Sequence, residues 1–415
     1  MPSSTSSSDL AHPGSARHEL RGVAGGGLAH GDRYARQTAA DRPGVAQPVP
    51  MRPVPDQPWG KILAGAVLLL VLMLAGWEEY WRAYGVRPGI ANTYGLWAIQ
   101  RRRIDASEGD ATVLVGDSRL YFDARLPVWE RLDGRRPIQL CFEGTTGLMV
   151  LEDLAADPKF TGRVVFGLAP DVFFSGFKFR AGAIGYTHNE SPSQRIGQWL
   201  SMRFIEPYFA FDDPDYALQT VLARQPWPAR APQRLPVRRL SEREADRNTH
   251  LWSKVETDPQ YRAIARNTWL NHMQRWDDDP SPEEEFKIEK EQIEKAASAV
   301  AKLRARGVQV VFVRMPSSGP YLEYENRHHP RARSWDALLA ATGAPGIHFE
   351  DYPQLQGYDL PEWSHIRYSQ TERFTAALYQ IVRRTFRDMD ATQPAVRTQP
   401  TALTPSTVAA MPSSR

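Results

Sequence analysis

Two short segments carry residue types that can do covalent chemistry. The first is Val113-Leu-Val-Gly-Asp-Ser-Arg-Leu120, an apolar run that ends in Gly116, Asp117 and Ser118. The second, Tyr358-Asp-Leu-Pro-Glu-Trp-Ser-His-Ile366, holds Asp359, Glu362 and His365. A serine hydroxyl is a weak nucleophile until a base removes its proton, and an imidazole base needs an acid to hold its tautomer. Glu362 precedes His365 by three residues, so one turn can bring carboxylate and ring face to face. Asp359, six residues upstream of the histidine, is the rival acid. The blander alternatives are an ordinary capped strand-to-helix turn at Asp117-Ser118 and a histidine that caps the final helix.

These residues need elements to gather them. Five apolar runs read as strands: Ala111–Val115, Pro137–Phe142, Arg163–Leu168, Val308–Val313 and the shorter Gly346–Phe349. Continuous β-branched runs suit strands buried on both faces of a parallel sheet. A helix is expected from about Ser281 to Arg306, with Ile288, Ile293, Ala297, Val300 and Leu303 as its inward stripe and Gly307 as its stop. Helix, glycine and strand make the second half of a βαβ unit, so residues 82–390 are expected to form a three-layer α/β domain. Ser118 then stands at the carboxyl end of the first strand, where open α/β sheets bind ligands. A following helix would turn its amino terminus toward the developing negative charge of an acyl intermediate. The final helix is expected from Gln370 to about Arg384. Residues 176–280 show no clear strand pattern and read as a mostly helical insertion. Its Trp199, Trp227, Trp252, Trp269 and Trp276 are expected mainly in the core, with a few lining the cleft.

Both ends differ from this middle. Residues 1–58 and 391–415 are rich in small and polar residues and in proline, a composition expected to stay disordered. Ile62 to Trp77 is a run of 16 uncharged residues, about 24 Å as a helix. Trp59 and Gly60 extend it, Lys61 can snorkel, and Trp77, Tyr80 and Trp81 make an aromatic belt. Residues 59–81 are therefore expected to be an uncleaved membrane anchor. The long leader and the absence of a small-residue cleavage site argue against a signal peptide. Arg42, Arg52 and Lys61 precede the run while Arg82 and Arg87 follow it, so charge decides orientation weakly. The expected topology keeps the short leader inside and the large domain outside.

The 51 Lys+Arg against 48 Asp+Glu leave no dense basic field for a nucleic acid. The single cysteine, Cys141, excludes an intramolecular disulfide framework and any multi-cysteine metal site. His328 and His329 are adjacent and lack a metalloprotease motif, so a solvated loop is expected there, and no metal or cofactor is implied. Arg314 with Ser317 or Ser318, after the fourth strand, and Arg119, beside Ser118, are candidates for holding an anionic substrate group. The alternative for Arg314 is a structural carboxylate partner.

Taken together, these segments resemble the SGNH/GDSL hydrolase superfamily over about residues 111–385. Gly116-Asp117-Ser118 looks like its first block and Glu362-Trp-Ser-His365 like its last, with Glu in place of Asp. Phe142-Glu-Gly-Thr-Thr-Gly147 is similar to the second block, in which a glycine N–H helps to hold the oxyanion; Gly147 is the closer match and Gly144 the other candidate. The third block, Gly-x-Asn-Asp, is not reproduced: Phe166-Gly-Leu-Ala-Pro-Asp171 has no Asn. Envelope members that look like the alginate O-acetyltransferases and the teichoic-acid D-alanylation proteins loosen these blocks too, and also carry one amino-terminal membrane segment. The resemblance implies a flavodoxin-like parallel sheet and a serine O-acyltransferase or esterase. It would be anchored in the cytoplasmic membrane with its domain in the periplasm, acting on an envelope polysaccharide. Ser118 would be the nucleophile, His365 the base, and Glu362 or Asp359 the acid. The implied partners are a glycan acceptor, an acyl donor and an integral-membrane acyl-transfer protein, and no cofactor is implied. The rival expectations are a non-catalytic glycan-binding or assembly protein and a plain lipid esterase or thioesterase.

Overall fold

In the computed structural model, which describes residues 57–225, 239–278 and 281–392, the apolar runs form strands. They are β1 (Thr112–Gly116), β2 (Ile138–Gln139), β3 (Arg163–Leu168), β4 (Ser241–Arg243), β5 (Thr249–Leu251), β6 (Gln309–Arg314) and β7 (Gly346–His348). Five of them pair in parallel in the order β2-β1-β3-β6-β7. The chain leaves β1 for one side of the sheet and returns to its other side with β3, so the carboxyl ends of β1 and β3 flank a topological switch point.

Alternation along each strand divides the core into two layers. Val113, Val115, Val164, Phe166, Val310 and Phe312 face the helices Leu148–Ala156, Pro282–Arg304 and Trp335–Thr342. Leu114, Val165, Val311, Val313 and Ile347 face the helices Ser118–Asp123, Leu126–Asp133 and Tyr368–Thr392. A sheet covered on both faces has no solvent side, which is why its strands lack polar alternation. The second strand is shorter than expected, although Leu140 and Phe142 continue its bonding by donating to Leu114 O and Gly116 O at 2.9 Å each.

Three expectations need correction. The inward stripe of Pro282–Arg304 is rotated: Ala296, Ala299, Val300 and Leu303 are buried, together with Glu285, Glu289 and Gln292, while Ile288, Ile293 and Ala297 are half-buried. Two of those acids have histidine neighbours. His328 ends the helix Gly319–His328 with Nδ1 3.3 Å from Glu285, and His329 is buried between Glu285 and Glu289 at 4.0 and 3.8 Å, so neither lies in a solvated loop. The insertion adds to its helices one antiparallel pair, β4 with β5, with Ser241 opposite Leu251. The final helix is longer at both ends than expected, running from Tyr368 to Thr392.

The helix Trp59–Tyr84 is long and apolar enough to span a membrane, and none of its most apolar window is buried. Its 26 residues measure about 39 Å, against a hydrocarbon core of about 30 Å. It continues three residues past the expected end at 81, and its last turns pack against residues of the insertion. From Leu69 onward the chain forms one unit, in which Trp81 packs with Tyr216, Leu251, Trp252 and Tyr261. The leader up to residue 56, the tail from residue 393, Trp227 and the side chain of Trp276 lie outside the described residues.

Candidate active site

Ser118 opens the helix Ser118–Asp123 directly after β1. The turn is made by Gly116 at φ 146°, where an added Cβ would lie 2.2 Å from Gly167 O, so only glycine fits. Asp117 caps the helix by accepting from Arg119 N at 2.9 Å, and it ties the end of β1 to that of β3 by accepting from Ala169 N at 2.5 Å. Burial pushes the Asp117 carboxyl up to about 6, against the pull of Arg119 and these two N–H groups.

The loop before the final helix brings the base to this serine. His365 Nε2 is 2.9 Å from Ser118 Oγ, and His365 Nδ1 is 2.8 Å from Glu362 Oε1. The same carboxylate oxygen accepts from His365 N at 2.7 Å, while Glu362 Oε2 accepts from Trp269 Nε1. Both residues are buried, so the pair is shielded from water. Burial alone would raise Glu362, but the imidazole and three hydrogen bonds hold its carboxyl below the usual range. Burial likewise disfavours the charged imidazole, but Glu362 outweighs it and raises His365. Phe122 backs the ring at 4.4 Å between centroids.

Asp359, the rival acid, is exposed and pairs with Arg367 at 2.6 Å, so it does not reach the histidine. Gly147 is not among the residues that line the cleft. It is buried behind the turn, where an added Cβ would sit 2.6 Å from Gly116 Cα, and it serves close helix–strand packing. Gly144, by contrast, lines the cleft with Ser118 and His365.

Of the candidate substrate residues, Arg314 and Ser317 are buried and bonded to Glu325, at 2.8 and 2.6 Å. Arg119 pairs with the other oxygen of Glu325 at 2.8 Å, donates to Ser364 Oγ at 3.1 Å, and lies over the Tyr321 ring. These arginines hold the loops around the site through one shared acid, and their partner Glu325 carried no signal in the sequence. Trp269 does reach the site, Trp252 is core, and Trp199 is exposed.

Two cavities meet at the serine. A cleft of about 380 Å³ includes Ser118, His365, Gly144, Glu143, Arg180 and Arg243 in its lining. Glu143 bonds Arg243 at 2.6 Å and Ser241 at 3.1 Å; these, with Arg180, overcome its burial and hold it at about 2. A smaller, mainly apolar cavity of about 120 Å³ is formed by Ser118, Gly144, Ala169, Val172, Phe177 and Tyr321 among others. Asp171 borders it and accepts from Tyr321 Oη at 2.5 Å. Sequence reasoning missed this charged wall, because the arginines come from an insertion with no family pattern.

Serine, imidazole and carboxylate are thus joined end to end, with the imidazole's two nitrogens each given one partner. Among known proteins, no family model matches this chain and no curated sequence matches it, so the functional reading rests on this geometry.

Proposed function

We propose that the protein is a membrane-anchored serine acyltransferase or esterase that works through an acyl-enzyme on an SGNH-type fold. The single observation that carries this reading is the relay Ser118 Oγ, His365 Nε2, His365 Nδ1, Glu362, with gaps of 2.9 and 2.8 Å. Such contact is the geometry a general base requires. The nucleophile's position at the switch point of a parallel sheet supports it as well.

In the proposed reaction Ser118 Oγ attacks the carbonyl carbon of an acyl donor, and its proton passes to His365 Nε2. The oxyanion is held by the backbone N–H groups of Ser118 and Gly144, the latter replacing Gly147. The tetrahedral adduct collapses, and the leaving oxygen takes the proton from the imidazolium. An acceptor hydroxyl then gives its proton to Nε2 and attacks the acyl-enzyme, releasing Ser118, which recovers the proton. Glu362 stabilises the imidazolium in both halves. The apolar cavity suits the acyl group, and the cleft with Glu143, Arg180 and Arg243 suits a polar acceptor such as an envelope glycan, with water as the acceptor in hydrolysis. The helix Trp59–Tyr84, long and apolar enough to span a membrane, supports a location at a membrane surface, and the proposed side is extracytoplasmic, with a donor handed over by an integral-membrane protein.

A second reading has its own support. The missing third-block Asn removes one oxyanion donor, a loss of about 10²–10³ in rate in serine hydrolases, and would suit a glycan-binding or assembly protein. A fluorophosphonate probe on the full-length protein separates the two. Labelling of the wild type that vanishes in Ser118→Ala supports catalysis, and a folded, unlabelled wild type supports binding alone.

A further inference from the structure

The helix Pro192–Phe204 is amphipathic in the wrong sense for a soluble domain. Its Gln198 faces the domain and accepts from Thr93 Oγ1 at 2.7 Å, and no residue of the helix is buried. Its apolar side chains point outward instead: Ile196, Trp199, Leu200 and Phe204 are 58, 59, 43 and 57% exposed. Their spacing of three and four residues makes one stripe. The stripe continues beyond the helix into Ile205 and Tyr208, which are 42 and 57% exposed. A contiguous apolar surface of this kind marks a contact site.

What covers it follows from where it is held. Glu78, one residue past the apolar run of the anchor helix, accepts from the backbone N–H groups of Ala210 and Phe211 at 3.0 Å each. Arg82, one turn later, donates to Tyr208 O at 2.9 Å. The end of the stripe is thereby fixed to the helical turns at and just past the end of the apolar run, the turns that also carry Trp77 and Tyr80. Tryptophan, tyrosine and phenylalanine are the side chains favoured at a membrane–water interface, and basic residues such as the exposed Arg203 suit the headgroups above it.

We propose that the face of Pro192–Phe204 bearing Trp199, Leu200 and Phe204, with Ile205 and Tyr208, inserts into the headgroup–acyl boundary of a phospholipid bilayer as a second membrane contact beside the anchor. This rests on the anchor helix spanning the bilayer and not on the catalytic reading.

The test uses the full-length chain in vesicles of phosphatidylcholine and phosphatidylglycerol, with the buried Cys141 left in place. Single Trp199→Cys, Phe204→Cys, Leu72→Cys and Lys290→Cys variants carry an environment-sensitive fluorophore. All four positions are exposed, so the substitutions spare the core. The expected result is a blue shift at 199 and 204, with loss of emission to a shallow spin-labelled lipid and protection from aqueous iodide. Leu72 should respond to a deep lipid quencher, and Lys290 to iodide alone. Labels at 199 and 204 as open to iodide as Lys290, with Leu72 in lipid, overturn the proposal. Protection that appears only in native membranes and not in pure lipid also overturns it, assigning the face to a membrane protein. A Leu72 label outside lipid refutes the anchor itself and takes the proposal with it.

Discussion

Glu362 grips His365 twice through one oxygen: Oε1 accepts from the backbone N–H at 2.7 Å and stands 2.8 Å from Nδ1. The acid therefore fixes both the turn and the ring of the base. Trp363 between them has φ 72°, a left-handed conformation that a bulky residue rarely adopts. Its carbonyl is held by Ser318 N at 3.0 Å.

Replacing that acid tests its role. Glu362→Gln keeps the shape but removes the charge that stabilises the imidazolium. Turnover of a chromogenic ester is expected to fall about 10²–10⁴-fold. Asp359→Asn, which alters only the exposed pair with Arg367, is expected to leave it unchanged. Equal losses in the two variants would contradict the assignment.

The pH profile follows from the same pair. Catalysis needs the neutral imidazole, so kcat/KM is expected to rise with pH through the His365 pKa, which lies above its usual value. Glu362→Gln removes the main raising influence and is expected to move that limb to lower pH.

Stability responds with two opposite signs. The raised His365 stabilises the fold fully below its unfolded pKa, and that contribution is lost as pH climbs through its folded pKa. The lowered Glu362 stabilises above its unfolded pKa, and its contribution is lost as pH falls through its folded pKa. The pair therefore contributes most between roughly pH 4.5 and 6.5. Urea midpoints of wild type and of His365→Gln across this range check it: the difference between them is expected to narrow on either side.

Arg119 separates a structural from a substrate role. Arg119→Met leaves the buried Glu325 with one cationic partner, Arg314, instead of two, beside its hydrogen bond from Ser317, a loss of about 3–5 kcal/mol for a broken buried pair. Thermal melting is expected to fall accordingly. A raised KM at unchanged melting temperature would instead restore Arg119 as a substrate contact.

Gly144 and Gly147 differ in the same way. Gly147→Ala drives a methyl into Gly116 and is expected to destabilise by about 1–3 kcal/mol or more. Gly144→Ala meets only Phe177 at 3.9 Å but sits at φ 52°, so its stability loss is expected near about 1–2 kcal/mol, with a fall in turnover. Calorimetry and ester kinetics on both variants distinguish packing from chemistry.

Much of this architecture was legible because its signals are local. Strands buried on both faces read as unbroken apolar runs, and the spacing of three from Glu362 to His365 is a turn in itself. The parts that escaped are long-range. Whether Arg314 meets a ligand or Glu325 depends on a helix eleven residues on, and whether Gly144 or Gly147 faces the cleft depends on how tightly a helix packs on Gly116. The rotated stripe of Pro282–Arg304 escaped because buried Glu285 and Glu289 mimic a solvent face in sequence. The β4–β5 hairpin escaped because Ser241–Arg243 and Thr249–Leu251 are too short and polar to carry a periodic pattern.

The last turns of the helix Trp59–Tyr84 have one further practical meaning. Trp81 lies 4.6 Å from the ring of Tyr216, in the same cluster as Trp252, so the tether ends inside a packed interior and not at a hinge. Cutting the chain at Gly85 to obtain a detergent-free fragment would strip that interior and leave two aromatic rings bare. A soluble version has to begin ahead of Glu78.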